Sequence, residues 1–190
     1  SELLLLAGYC AGLAEISPAQ LSTVGTLATA HEASKDSSLK ALILYASQTG
    51  NAQAIAENLQ ESLESSGYNA ALESTLDIKL AKLNDYALIV VIASTHGEGE
   101  PPDDAIDFYE AVLSKKAPGL NGVKHAVLGL GDSSYEFFCQ TAKDFDSALS
   151  SLGSVPLIER LDCDVDYQQE AVSWITQLVA AITEVQPPAL

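Results

Sequence analysis

The sequence predicts an α/β domain built on a doubly wound, five-stranded parallel sheet. Three observations carry this prediction. From Lys40 onward, apolar runs of strand length alternate with stretches of helical periodicity. The principal runs are apolar throughout rather than alternating, as strands covered on both faces require. Loops rich in Gly, Ser and Thr follow three of them, at the end of the sheet where such folds hold ligands.

The first run, Ala41 to Ala46, is followed by a helix capped at Asn51, in which Ile55, Leu59 and Leu63 recur at helical spacing and Gly67 marks the end. Tyr68 to Glu73 is a weaker strand, and Tyr86 to Ala93 the strongest buried one. A helix from Asp104 to Ser114, a strand from Val123 to Leu128 and a helix from Thr141 to Leu152 come next. Val155 to Leu161 is the fifth strand. The last helix sets Val172, Ile175, Leu178, Val179 and Ile182 on one face, with Trp174 beside them as a packing residue. Parallel neighbours need crossover connections, and those are right-handed.

Residues 1–38 have a different character. An apolar helical stretch from Leu3 to Ile16 breaks at Ser17–Pro18, a second runs to Ala30, and the polar residues 31–38 form a linker. Such an extension either packs on its own domain or contacts a partner. Leu3 to Leu6 is too short to span a bilayer, and Glu2 stands where a signal peptide would carry a base. The chain starts at Ser1 and contains no Met, which points to a native start further upstream. Residues 186–190 look like either the start of an interdomain linker or a frayed terminus.

The formal net charge of −17, with only nine Lys and Arg, argues against nucleic acid and suits either a solvated acidic surface or a basic docking partner. Cys10, Cys139 and Cys163 form no CxxC pair, so neither a zinc site nor a disulfide framework is expected, and a reducing, cytoplasmic setting fits. No cation neighbours Cys139 in sequence, which makes it a small buried filler rather than a nucleophile.

The chemistry lies in three loops. In Ser47–Gln48–Thr49–Gly50–Asn51–Ala52, hydroxyls, an amide and helix N-terminal N–H groups can surround a phosphate, and Gly50 permits close approach. No Lys follows Gly50, so this is not a nucleoside triphosphate loop. Ser94–Thr95–His96–Gly97–Glu98–Gly99–Glu100–Pro101–Pro102 is bent but restrained, and offers main-chain groups to the polar edge of a flat ligand. A metal set or a hydrolase triad there lacks companion residues. Leu130–Gly131–Asp132–Ser133–Ser134–Tyr135–Glu136–Phe137–Phe138–Cys139 presents three aromatics. Tyr135 can stack on a ring, while at least one of Phe137 and Phe138 is expected in the core.

Taken together, these three loops resemble the flavodoxin-like FMN domain of diflavin reductases. Within that family their wording is most similar to the flavoprotein (alpha) subunit of NADPH-dependent assimilatory sulfite reductase. The resemblance runs from about Lys40 to Ile182. It implies the strand order 2-1-3-4-5 and an FMN-binding domain over residues 39–185. Residues 47–52 would hold the phosphate, while residues 94–97 and 130–139 enclose the isoalloxazine, with Tyr135 stacking. His96 departs from the aromatic that many relatives carry. No catalytic side chain and no metal are implied. The implied role is to take electrons from FAD, reduced by NADPH in a domain of the same subunit outside this chain. They would pass to a haemoprotein (beta) subunit carrying sirohaem and an iron-sulfur cluster, within an oligomeric, membrane-free enzyme. A free-standing flavodoxin is the alternative.

Two further expectations concern the second loop. No Lys or Arg lies between Lys82 and Lys115, whereas Asp85, Glu98, Glu100, Asp103, Asp104, Asp107 and Glu110 are acidic, which would make a reduced flavin a stronger donor. The Gly97–Glu98 peptide can also reverse at low steric cost, presenting its carbonyl to flavin N5.

Overall fold

A computed structural model describes residues 39–187. The expectations for residues 1–38, and for the last three residues of the tail, lie outside the described residues.

Seven-residue strands β1 (Lys40–Ala46), β3 (Leu88–Ser94) and β4 (Lys124–Leu130) form the centre of a parallel sheet. β2 (Asn69–Ser74) flanks β1, and β5 (Val155–Pro156) lies beyond β4, giving the order β2-β1-β3-β4-β5. That order is the one expected.

The fifth strand differs in detail. Instead of running from Val155 to Leu161, it is broken into β5 and β6 (Leu161–Cys163), both paired with β4. Pro156 has no N–H to give to the ladder. After Leu157 donates to the His125 carbonyl (2.7 Å), the chain leaves the sheet and rejoins it at Leu161, opposite Leu128. Arg160 anchors the detour, with its guanidinium 2.8 Å from both Asp146 and Asp162.

Strand alternation sorts the core into two layers. Ala41, Ile43, Leu88, Val90, Ile92, Ala126 and Leu128 face α1 (Asn51–Ser65) and α4 (Gln168–Val185). Leu42, Leu44, Ile89, Val91 and Val127 face α2 (Ile106–Leu113) and α3 (Gln140–Ser151). In α4 the buried face consists of Ala171, Trp174, Ile175, Leu178 and Ile182. Trp174 is thus a packing residue. Val172, placed on that face by the sequence reading, is 63% exposed, because Ala171 and Trp174 hold the positions one helical turn before Ile175 and Leu178.

Helix α1 ends in a Schellman turn: Gly67, at φ +84°, donates to Glu64 and Tyr68 donates to Leu63. At its start, Gly50 rather than Asn51 is the cap. Gly50 has φ +89°, and no side chain caps the helix. The left-handed position favours a residue without Cβ, which moves Asn51 into the first turn.

Helix α3 lies directly on β4. A Cβ on Gly129 would stand 2.6 Å from Ala142 Cβ and 3.1 Å from Cys139 Cβ. Gly129→Ala should therefore force helix and strand apart. Urea unfolding should show a loss of about 1–3 kcal/mol, the usual cost of overpacking.

Candidate functional site

Parallel strands joined by crossovers deliver their loops to one end of the sheet. There, residues after β1, β3, β4 and β6 enclose a cavity of about 580 Å³, within the roughly 300–1,000 Å³ typical of small-molecule clefts.

The first loop supplies Thr49 and Asn51 to the wall. Ser47 does not line the cavity; its hydroxyl accepts the Gly50 N–H (3.0 Å) and shapes the turn. Gln48 is exposed, and Ala52 is fully buried beneath α1. The first intrahelical bond runs from Ala54 N–H to the Gly50 carbonyl. Donors at the uncapped start of α1 are thus open to an acceptor. A Cβ on Gly50 would meet nothing within 4 Å, so its backbone angle, not space, demands glycine. Beside this turn, Asp104 has a buried Oδ1 without a partner. Burial raises its carboxyl above the ordinary value, against the pull of the Ser47 N–H.

The second loop contributes Ser94, Thr95, His96 and Gly97. Thr95 N–H donates to the Leu130 carbonyl (2.9 Å), and Thr95 Oγ1 accepts the N–H of buried Thr141 (3.3 Å). This ties the loop to the neighbouring strand and to the first turn of α3.

The third loop brings Leu130, Gly131, Asp132, Tyr135, Phe137, Phe138 and Cys139 to the cavity. Asp132 accepts the N–H (2.9 Å) and hydroxyl (2.6 Å) of Ser134, which builds the turn that presents Tyr135. Ser133, Ser134 and Glu136 are exposed and do not line the cavity. Tyr135 is 58% exposed and Phe137 41%. Phe138 is half-buried, with the Lys143 ammonium 5.5 Å from its ring centroid. Neither phenylalanine joins the core, contrary to the sequence expectation for at least one of them. Both line the cavity beyond the end of β4, where the Phe138 ring packs over Gly131, its Cδ2 3.0 Å from where a Cβ there would stand.

Cys139 is the buried residue where the third loop re-enters the fold. Its φ of +53° is the only positive value among described non-glycine residues. Its thiol faces the Cys163 carbonyl (3.5 Å), which also accepts the Gly131 N–H (3.0 Å).

A fourth wall, missed by the sequence reading, consists of Asp164, Val165 and Tyr167. It follows β6, and ending the fifth strand at Leu161 concealed it. Asp164 accepts both the N–H (3.1 Å) and the hydroxyl of Ser133, which hold its carboxyl below the usual range. The signal available in the sequence was an aromatic and an acid next to a strand end.

The flavodoxin family pattern matches residues 43–174. The chain is 48% identical over 187 residues to a sulfite reductase [NADPH] flavoprotein alpha-component of Photobacterium profundum. It is 39% identical over 184 residues to that of Bacillus subtilis. These alignments cover 96% and 97% of this chain but 30% of either relative, so the chain spans under a third of their length. Among solved structures, a Streptococcus pneumoniae flavodoxin aligns with TM-score 0.70 and 28% identity, over 77% of this chain and 99% of its own. Flavodoxin 1 from Bacillus cereus aligns with TM-score 0.69 and 25% identity, over 76% and 97%. No helix among the described residues is long and apolar enough to cross a membrane.

Burial pushes the Cys139 thiol up to about 12, with the nearby Asp162 charge adding to it, and the Cys163 thiol up to about 11. Both folded values lie above that of a free thiol. Their contribution to stability is therefore complete below the ordinary thiol pKa and is lost as pH rises through 11 to 12. At pH 8, iodoacetamide should leave Cys139 and Cys163 unlabelled in the native chain and label both in urea, as read by peptide mass mapping.

Proposed function

Because the chain belongs to the flavodoxin family, we propose that its cavity holds FMN and that the chain is an electron-transfer module. The observation that carries this reading is the juxtaposition of an uncapped helix start, flanked by Thr49 and Asn51, with a slot lined by Tyr135, Phe137 and Phe138. Neutral donors at one end suit a phosphate, and aromatic walls at the other suit a planar ring. When bound, FMN supplies the redox chemistry. The chain's own residues orient it, shield one part and leave an edge for exchange with partners.

In this reading Ser47 to Ala52 form the phosphate turn, of which Thr49, Asn51 and the α1 amides touch the ligand. Ser94 to Gly97 border the ring edge, Leu130 to Cys139 one face, and Asp164 to Tyr167 close the cavity beside them. No side chain acts as an acid, base or nucleophile.

Similarity over nearly the whole chain to sulfite reductase flavoproteins supports a finer assignment. The module serves an NADPH-sulfite reductase, accepting electrons from an FAD domain of the same subunit and delivering them to a sulfite-reducing haemoprotein. The alternative, a free-standing carrier, is supported by the near-complete coverage of flavodoxin structures. Those structures nevertheless align with only 77% of this chain.

The purified chain should be yellow and release one FMN on denaturation; a colourless chain that fails to bind added FMN would sink the reading. Tyr135→Ala should weaken FMN binding about three- to tenfold, in line with the energy of an aromatic contact. Mixing the reduced chain with oxidised haemoprotein separates the two assignments, since only a sulfite reductase module should reduce it rapidly.

Glu98, Glu100, Asp103 and Asp107 are exposed on and next to the second loop. Their charge disfavours added negative charge on a bound flavin. The double substitution Glu98→Gln, Glu100→Gln should raise the midpoint potential of bound FMN by tens of millivolts, a one-electron couple moving about 59 mV for each tenfold change in equilibrium. An unchanged potential in spectroelectrochemical titration would remove the electrostatic proposal.

A further inference from the structure

The Gly97–Glu98 peptide, which glycine alone would leave free to rotate, is held by a side chain. Glu98 N–H donates to Glu100 Oε2 at 2.7 Å. The loop also closes on itself through a reciprocal main-chain pair, His96 N–H to the Glu100 carbonyl (2.8 Å) and Glu100 N–H to the His96 carbonyl (2.9 Å). Gly99 N–H donates to the same His96 carbonyl at 3.0 Å. Of the five successive amides from His96 to Glu100, these bonds account for four; the fifth is that of Gly97, which borders the cavity.

Gly97 has φ +51°, and a Cβ there would lie 2.7 Å from Glu100 Oε2. The carboxylate thus occupies the space that any other residue at position 97 would fill with its side chain. The left-handed backbone is what calls for glycine at position 97, and the Glu100 head group occupies the room that the missing Cβ leaves.

We propose that Glu100 is a positioning residue of the cavity, its carboxylate clamping the Glu98 N–H and so fixing which polar end of the Gly97–Glu98 peptide the cavity meets. The N–H and C=O of a planar trans peptide point in opposite directions. Fastening the N–H to Glu100 therefore turns the Gly97 carbonyl the other way. Reversing the peptide breaks a charge-assisted hydrogen bond and brings a carbonyl oxygen towards a carboxylate. Glu100 accordingly has a geometric role separate from its charge on the acidic rim.

The consequence for ligand binding rests on the FMN reading; the clamp itself is a property of the chain alone. Glu100→Gln keeps an oxygen acceptor and loses the charge, whereas Glu100→Ala loses both. Because Glu100 is exposed, neither variant threatens the fold.

In the FMN-free chain, solvent-exchange NMR should show the Glu98 amide exchanging about fivefold faster in Glu100→Ala, and within about twofold of the parent in Glu100→Gln. FMN titration should show the dissociation constant rising about fivefold in Glu100→Ala and less than about twofold in Glu100→Gln, because a loop that is no longer held must be ordered on binding. A Glu98 amide indifferent to Glu100→Ala would overturn the clamp. So would a Glu100→Gln variant that matches Glu100→Ala in both measurements, since charge alone would then explain the effect. If the parent chain binds no FMN, the flavin reading fails, and amide exchange still decides whether the clamp exists.

Discussion

A parallel sheet buried on both faces governs this molecule. Hairpins cannot join neighbouring strands, so the chain must cross back over a face of the sheet between them and every strand must deliver its carboxyl end to the same side. Two apolar layers follow, one under α1 and α4 and the other under α2 and α3. With packing settled by those layers, the loops on the carboxyl side are free to carry polar and aromatic residues. The cavity lies where they gather, near the reversal of strand order between β1 and β3.

Precision within the site comes from small residues and main-chain bonds rather than from bulk. Gly129 and Gly131 let the start of α3 approach β4 closely, so the third loop leaves and re-enters the sheet almost at one point. The Cys163 carbonyl accepts from both ends of that loop, and Asp164 holds Ser133 near its tip. Arg160 sits behind this edge, joining α3 through Asp146 to the short β6 through Asp162. A broken edge strand is thereby held firmly enough to form a wall.

Most of the fold was legible because its signals are periodic. Continuous apolar runs and helical stripes identify β1, β3, β4 and α1 within a few residues of their observed ends. The failures have local causes. Pro156 interrupts a run that otherwise reads as one strand, hiding β6 and with it Asp164 to Tyr167. Val172 lies one position off the stripe it seemed to join, a difference of about 100° around a helix. At least one of Phe137 and Phe138 read as core from hydrophobicity alone, whereas both stand at the cavity wall, a placement set by the path of the third loop. Three of the cavity's four walls were visible as loop composition. The internal bonding of residues 96–100 was not, because it depends on the reach of Glu100 across a turn.

The cavity walls come from residues as far apart in sequence as Thr49 and Tyr167. No half of the chain contains the site, so a partly synthesised or partly unfolded polypeptide has no affinity to offer. A ligand captured there is captured only by the finished fold, and by mass action it adds RT ln(1 + [L]/Kd) to the free energy of unfolding. At a hundredfold excess over Kd this amounts to about 2.7 kcal/mol, a large share of what a domain of this size commands. Ligand supply thus becomes a determinant of how long the chain survives proteolysis.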